Sequence, residues 1–176
     1  KDEAASIFTR LYVEGGSNNL PYGYRDGAKS LMLPVATPFI EDEDLTALYG
    51  IVEWFTSFDD IFPKRVGSIT AVTDEFTFTD TGIDFDINAQ LMPGTAAKCI
   101  FQTGLLAGYS FDLTSFDNVT KTIKIIEIDE PAMVGGKLPT AVLKPAVGDE
   151  YILVDIIMPP SYIAAAENDL KTAAEN

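Results

Sequence analysis

Apolar and polar positions alternate with a period of two along most of this chain, the pattern of half-buried β-strands. Ile7-Phe8-Thr9-Arg10-Leu11-Tyr12-Val13 is rich in β-branched and aromatic types and runs into Gly15-Gly16-Ser17-Asn18-Asn19, which predicts a strand and then a loop continuing through Pro21, Gly23 and Gly27. Leu31-Met32-Leu33 reads as a short strand stopped by Pro34. The acidic run Glu41-Asp42-Glu43-Asp44 leads into a helical turn at 43–49. Ile51 to Thr56 is strand-like again, and with the acidic turn Asp59-Asp60, Pro63 and a second run from Arg65 to Val72 it suggests a hairpin-like pair.

Phe76 and Phe78 alternate with Thr77 and Thr79, and Asp84, Asp86 and Asn88 alternate with Phe85 and Ile87, so both stretches are expected as half-buried strands. Ala97, Cys99 and Phe101 mark one face of another. Between 109 and 128 the pattern is that of a β-hairpin: Tyr109, Phe111 and Leu113 face one way, the turn falls at Ser115-Phe116-Asp117-Asn118, and the return strand runs from Thr120 to Ile128. Its alternation slips at Ile125-Ile126, as a bulge would require. Pro131 ends that strand, Val134-Gly135-Gly136-Lys137 marks a turn, and 139–149 reads as loop.

Tyr151 to Met158 is almost continuously apolar, as for a strand buried on both faces, and Pro159-Pro160 stops it. Ser161 is placed to cap a helix over Tyr162 to Lys171, with Glu167 and Lys171 four residues apart. The expected fold class is mainly β, with barrel or sandwich-like antiparallel sheets and a C-terminal α-helix. The expected organisation is an N-terminal β segment over 1–66, part of a larger discontinuous domain, a compact β-rich domain over 67–158, and the C-terminal helix over 159–176. That helix meets no stop signal, and Lys1-Asp2-Glu3-Ala4 shows neither an initiator Met nor a signal-peptide core; both ends are expected to be cut from a longer polypeptide.

Composition narrows the chemistry. The 176 residues carry 27 Asp plus Glu against 12 Lys plus Arg, a formal charge of −15, so phosphate backbones are repelled and nucleic-acid binding is not expected. Hydrophobic residues make up 47%, enough for a real core, yet no apolar run approaches the ~20 residues of a membrane helix. Histidine is absent, which removes imidazole bases, Ser-His-Asp and Cys-His pairs, and His-ligated zinc together. Cys99 is the single thiol; it forms no intrachain disulfide and reads as a small buried hydrophobe.

Few motifs carry chemistry, and each has a plain structural reading. Asp80-Thr81-Gly82 matches the aspartic-protease triplet, but occurs once, between Thr79 and Ile83, and a turn between strands explains it. Asp84-x-Asp86-x-Asn88 opens like a calcium loop, which then fails at Ala89 and Thr95. No carboxylate pair is marked out for glycoside hydrolysis. Asn118-Val119-Thr120 fits the N-glycosylation pattern but also describes a hairpin turn. Trp54, Phe55, Phe58 and Phe62 could form a sugar-binding platform, although core or subunit contact is the simpler expectation. No catalytic, cofactor-binding or metal-ligating residue is assigned, and no enzyme activity or cofactor is expected.

The order of segments resembles phage and prophage tail proteins of the tail-tip or baseplate-hub type, particularly those from gut Bacteroidetes. The stretches that carry the resemblance are Thr9-Arg10-Leu11-Tyr12 with Gly15 and Asn19-Leu20-Pro21, Leu31 to Pro34, Tyr49-Gly50-Ile51-Val52-Glu53, and Phe58-Asp59-Asp60-Ile61-Phe62-Pro63 with Arg65 and Gly67. In the second half they are Asp84-Phe85-Asp86-Ile87, Phe101 to Gly108, Gly148-Asp149-Glu150-Tyr151, and Met158-Pro159 leading into Ser161-Tyr162 and Ala166-Glu167. These positions set backbone geometry and packing, and no catalytic residue is carried over. The resemblance implies a structural tail component in the virion, made in the bacterial cytoplasm. Its implied partners are other phage tail proteins and copies of itself, often as a trimer; charge and hydropathy, as above, add the expectation of neither nucleic-acid binding nor membrane insertion. The alternative is a carbohydrate- or receptor-binding module using the aromatic segment 54–62.

Overall fold

The computed structural model describes residues 7–133 and 135–176; the Lys1-Asp2-Glu3-Ala4 start, and Val134 of the predicted glycine turn, lie outside the described residues. The chain divides into two compact units, one of residues 1–63 with 160–176 and the other of residues 64–159. The C-terminal helix therefore belongs with the N-terminal segment. Among the described residues no helix is long and apolar enough to cross a membrane.

The first unit is built on β1 (Arg10–Gly15), β2 (Ile40–Glu41) and β3 (Glu53–Phe58), in the order β2-β1-β3, with helices α1 (Glu43–Tyr49) and α2 (Pro160–Ala174). β1 pairs antiparallel with β2 and parallel with β3, from Arg10 opposite Glu53 to Gly15 opposite Phe58. The hairpin expected between 51–56 and 65–72 does not form, because β3 takes β1 as its partner and the second run belongs to the other unit. Leu11 and Val13 alternate inward on β1 and meet Leu20, Tyr24, Leu31 and Leu33. Ile163, Ala166, Leu170 and Ala174, spaced at helical period, lay one stripe of α2 on that cluster.

Asp42 caps α1 by accepting the Leu45 N–H at 2.9 Å. Leu31-Met32-Leu33 contributes only an isolated bridge between Met32 and Glu14. Gly15 and Gly16, read above as loop, are instead a point of close backbone approach: a Cβ would lie 2.6 Å from the Ile61 carbonyl at the first and 2.3 Å from that of Asp59 at the second. α2 starts on Pro160, so Ser161 sits inside the first turn and does not cap. Glu167 pairs with Arg25, at 2.8 Å, and not with Lys171, which turns to Glu175.

The second unit holds a seven-stranded antiparallel sheet, curled into a half-barrel. Its strands are β4 (Val66–Ser68), β5 (Ala71–Val72), β6 (Thr77–Thr79), β7 (Lys98–Phe101), β8 (Ser110–Asp117), β9 (Thr122–Ile125) and β12 (Glu150–Val154). A separate ribbon pairs β10 (Ile128–Asp129) with β11 (Lys137–Leu138). The sheet order is β4-β12-β7-β8-β9-β6-β5, so the two edge strands are joined by only Ile69 and Thr70. Laid flat, seven strands would separate those edges by about 29 Å, whereas three residue steps reach about 10 Å. The sheet has to bend back on itself. Ile69 N–H donates to the Asp149 carbonyl and Thr70 N–H to that of Thr79, so the linker bonds to both sides of the seam. Inside, Phe78, Phe101, Phe111 and Tyr151 meet edge to face, with Phe101 and Phe111 centroids 5.7 Å apart.

The mainly β reading with a C-terminal helix holds, while four further local expectations do not. Asp84 to Asn88 forms no strand; Asp86 accepts the Asn88 N–H at 3.0 Å and caps a 3₁₀ turn over Ile87–Gln90, a local bond that competes with any ladder. The hairpin turn lies at 118–121, beyond its predicted place, because β8 runs on to Asp117. The register slip falls on β8 between Leu113 and Ser115 and not at Ile125-Ile126. Tyr151 to Met158 is broken at Asp155, whose φ of 60° ends β12.

Leu170 is fully buried under the first sheet whereas Leu48 is largely exposed. Leu170→Ala should cost about 3 kcal/mol in urea unfolding followed by circular dichroism, and Leu48→Ala less than about 0.5 kcal/mol.

Candidate functional site

Asp80, of the Asp80-Thr81-Gly82 triplet, is bound up in the half-barrel. It follows β6, is almost fully buried, and accepts from Arg65 Nη1 at 2.7 Å and Nη2 at 3.3 Å, from Gly82 N–H at 2.8 Å and from the Tyr151 hydroxyl at 2.9 Å. Burial pushes this carboxyl up, but the bonds from Arg65, Gly82 and Tyr151 outweigh it and hold Asp80 below the usual carboxylate range. Tyr151 is pushed strongly the other way by burial and by the charge of Asp80. Gly67 makes room: a Cβ there would stand 2.4 Å from the Tyr151 ring and 2.8 Å from Asp80 Oδ2. Four donors occupy the oxygens with which a protease aspartate would hold water, so the arrangement favours the turn reading of Asp80-Thr81-Gly82.

The remaining motifs are equally local. Asp86 is a cap, Asn88 Nδ2 donates to the Phe116 carbonyl, and among the described residues no group of three acids or thiols could hold a metal ion. Cys99 is buried, and burial raises its thiol. Asn118-Val119-Thr120 lies exposed at the hairpin turn, with Lys121 Nζ donating to Asn118 Oδ1.

The open chemistry is on the first unit, along β3. Arg10, Tyr12 and Glu14 share one face of the sheet with Glu53, Phe55 and Ser57, following the parallel register. Arg10 lies 4.1 Å from the centre of the Phe39 ring and bonds to Glu41 at 3.2 Å, and the Tyr12 hydroxyl donates to Glu53 at 2.9 Å. Phe39 also packs against Tyr12, with centroids 5.7 Å apart. Beside them is a hollow of about 430 Å³ lined by Tyr12, Glu53, Trp54 and Phe55. A second, of about 440 Å³, adds Met32, Pro34, Val35 and Pro38 to Tyr12 and Phe55.

Trp54 and Phe55 are each 55% exposed, so of the core or subunit-contact expectation the core half does not hold for these two rings. As neighbours on a strand they point to opposite faces, while Phe58 packs against the first core, so the four aromatics of 54–62 do not make one platform. Tyr12 reads in the sequence as part of a strand, and Phe39 carries no signal at all. Phe39, isolated between Pro38 and Ile40, gives no periodic signal, and only the strand pairing brings it to Arg10.

The other side of the first sheet is pinned. The Tyr24 hydroxyl and Arg25 Nη2 both donate to Glu167, at 2.7 and 2.8 Å, and Met32 N–H donates to the Tyr24 oxygen. Burial, then the bond to Glu167, pushes the Tyr24 hydroxyl up to about 12. Arg25 takes a left-handed φ of 44°, held in that costly conformation by its ion pair.

Comparison with protein-family models, with curated proteins and with solved structures found no match.

A carboxyl held below its unfolded value stabilises the fold above about pH 4, and that stability is lost as pH falls through the folded value. The wild-type melting temperature should therefore fall between about pH 5 and pH 2, and Asp80→Asn should flatten that fall. At neutral pH Arg65→Met should cost about 3 kcal/mol, since it leaves a buried carboxylate uncompensated. Identical acid profiles for wild type and Asp80→Asn would contradict the assignment.

Proposed function

We propose that the chain is a non-enzymatic structural domain of a phage or prophage tail, of the tail-tip or baseplate-hub type, which works through contacts with other tail proteins and with copies of itself. The observation that carries the assembly half of this reading is β3: a six-residue edge strand with Trp54 and Phe55 exposed and a single charge, Glu53. Exposed apolar edges are contact surfaces by default, since water leaves their backbone groups and side chains ready to pair. The tail half rests on the segment resemblance set out above. The engagement of Asp80 by Arg65 and Tyr151 supports the non-enzymatic half.

Mass spectrometry of tail particles purified from cells that carry the gene should find this chain in fixed ratio to other tail proteins. Its absence from every particle fraction would overturn the reading.

The exposure of Trp54 beside a hollow shared with Tyr12 and Glu53 favours one second reading, a carbohydrate- or receptor-binding module. On that reading, glycan-array binding appears with the wild type and drops at least tenfold in Trp54→Ala. Wild-type arrays without signal would remove it.

A further inference from the structure

We infer that β3 pairs with β3 of a second copy, antiparallel across a two-fold axis at Phe55, joining two three-stranded sheets into one of six. The inference rests on the reading of β3 as an assembly surface and is independent of the tail assignment.

Strand alternation fixes which groups are on offer. Val52 accepts the Thr9 and Arg10 N–H groups, so Val52, Trp54 and Thr56 turn their backbone toward β1. Glu53, Phe55 and Ser57 then turn their N–H and C=O groups outward, and among the described residues no strand lies beyond β3. A second β3 run antiparallel presents the same three residues, so each outward donor meets an acceptor.

Charge chooses the register. Centred on Phe55, the pairing sets Phe55 against its symmetry mate, Glu53 against Ser57, and Trp54 against Thr56. No carboxylate then faces a carboxylate, and the two Phe55 rings form a cross-strand aromatic pair. Centring on Glu53 would oppose two acids directly, and centring on Ser57 would set Phe55 against Asp59. Glu53 itself is already engaged by the Tyr12 hydroxyl, with Arg10 4.0 Å away.

The exposed area on offer sets an upper bound at the size of the smallest specific dimers, as a reversible association requires. The exposed parts of Ile51, Val52, Trp54 and Phe55, with the strand backbone between them, amount to on the order of 500 Å² per copy, near the ~1,000 Å² total at which specific interfaces begin. Each copy carries −15, so long-range repulsion opposes association and salt relieves it. An acidic chain docking a basic partner strand would show the opposite salt dependence.

Sedimentation equilibrium on the whole chain tests this. The expected result is a monomer–dimer equilibrium that strengthens from 50 mM to 500 mM NaCl and weakens at least tenfold in Phe55→Lys and in Ser57→Pro. Proline at 57 removes only an outward N–H. Because Cys99 is buried, Phe55→Cys would offer the one accessible thiol, and across the axis it should form a disulfide-linked dimer under diamide, whereas Val35→Cys, exposed but off the edge, should not. A wild type that stays monomeric at high salt, a trimer, or a dimer indifferent to Phe55→Lys and Ser57→Pro would overturn the pairing. If the chain is monomeric but Phe55→Lys still abolishes incorporation into tail particles, self-pairing fails and the assembly reading stands.

Discussion

A two-residue linker governs the larger unit. Ile69 and Thr70 join strands that lie at opposite ends of a seven-strand order, so the sheet can exist only if it curls until its edges nearly meet. The seam is where polar groups would otherwise be stranded. Asp80 sits there, taking the charge of Arg65 and the hydroxyl of Tyr151 from β12, and Gly67 on β4 gives up its side chain so that the tyrosine can reach. The aromatic interior follows from that closure, because the curl carries Phe78 on β6 to Phe101 and Tyr151, which are register partners on neighbouring β7 and β12.

The acidic excess has a structural use that the net charge does not convey. Asp42 accepts the Leu45 N–H, Asp74 that of Phe76, Asp86 that of Asn88, Asp117 that of Val119 and Asp149 that of Ala146, each across two or three residues. These are the turn and cap bonds for which short carboxylates are suited. Glu167 does the equivalent at longer range, gathering Tyr24 and Arg25 against α2. The motifs that resembled a protease triplet and a calcium loop make the same kind of bond, Asp80 accepting the Gly82 N–H at 2.8 Å and Asp86 that of Asn88 at 3.0 Å.

How much of this could be read from residues alone follows from the range of each interaction. Alternation located β1, β3, β6, β7 and the β8–β9 pair, and alanine content with Pro160 located α2, because those signals are carried within a few residues. The parallel pairing of β3 with β1 was not legible, nor was the division of 51–56 and 65–72 between two units, because pairing depends on segments far apart in the chain. Asp84 to Asn88 misled for the opposite reason: its alternation was real, but one aspartate's bond to a neighbouring N–H decided the backbone. At the surface, residue type alone left Trp54 and Phe55 between core and subunit contact, and the place of β3 at the end of its sheet exposes them.

Edges show where the fold has guarded itself and where it has not. β2 and β5 end their sheets with two residues each and β4 with three, too short to template another strand, and the β4–β5 edges are further shielded by the seam linker. β3 has six residues, two large exposed aromatics and one acid already engaged by Tyr12. Of the four edges of the two larger sheets, three are short and the fourth, β3, is long and apolar with one acid, and the proposed pairing rests on that asymmetry. The hydrophobic cost of keeping Trp54 and Phe55 in water, roughly 1 kcal/mol or more for each half-exposed ring, is offset only when another surface covers them.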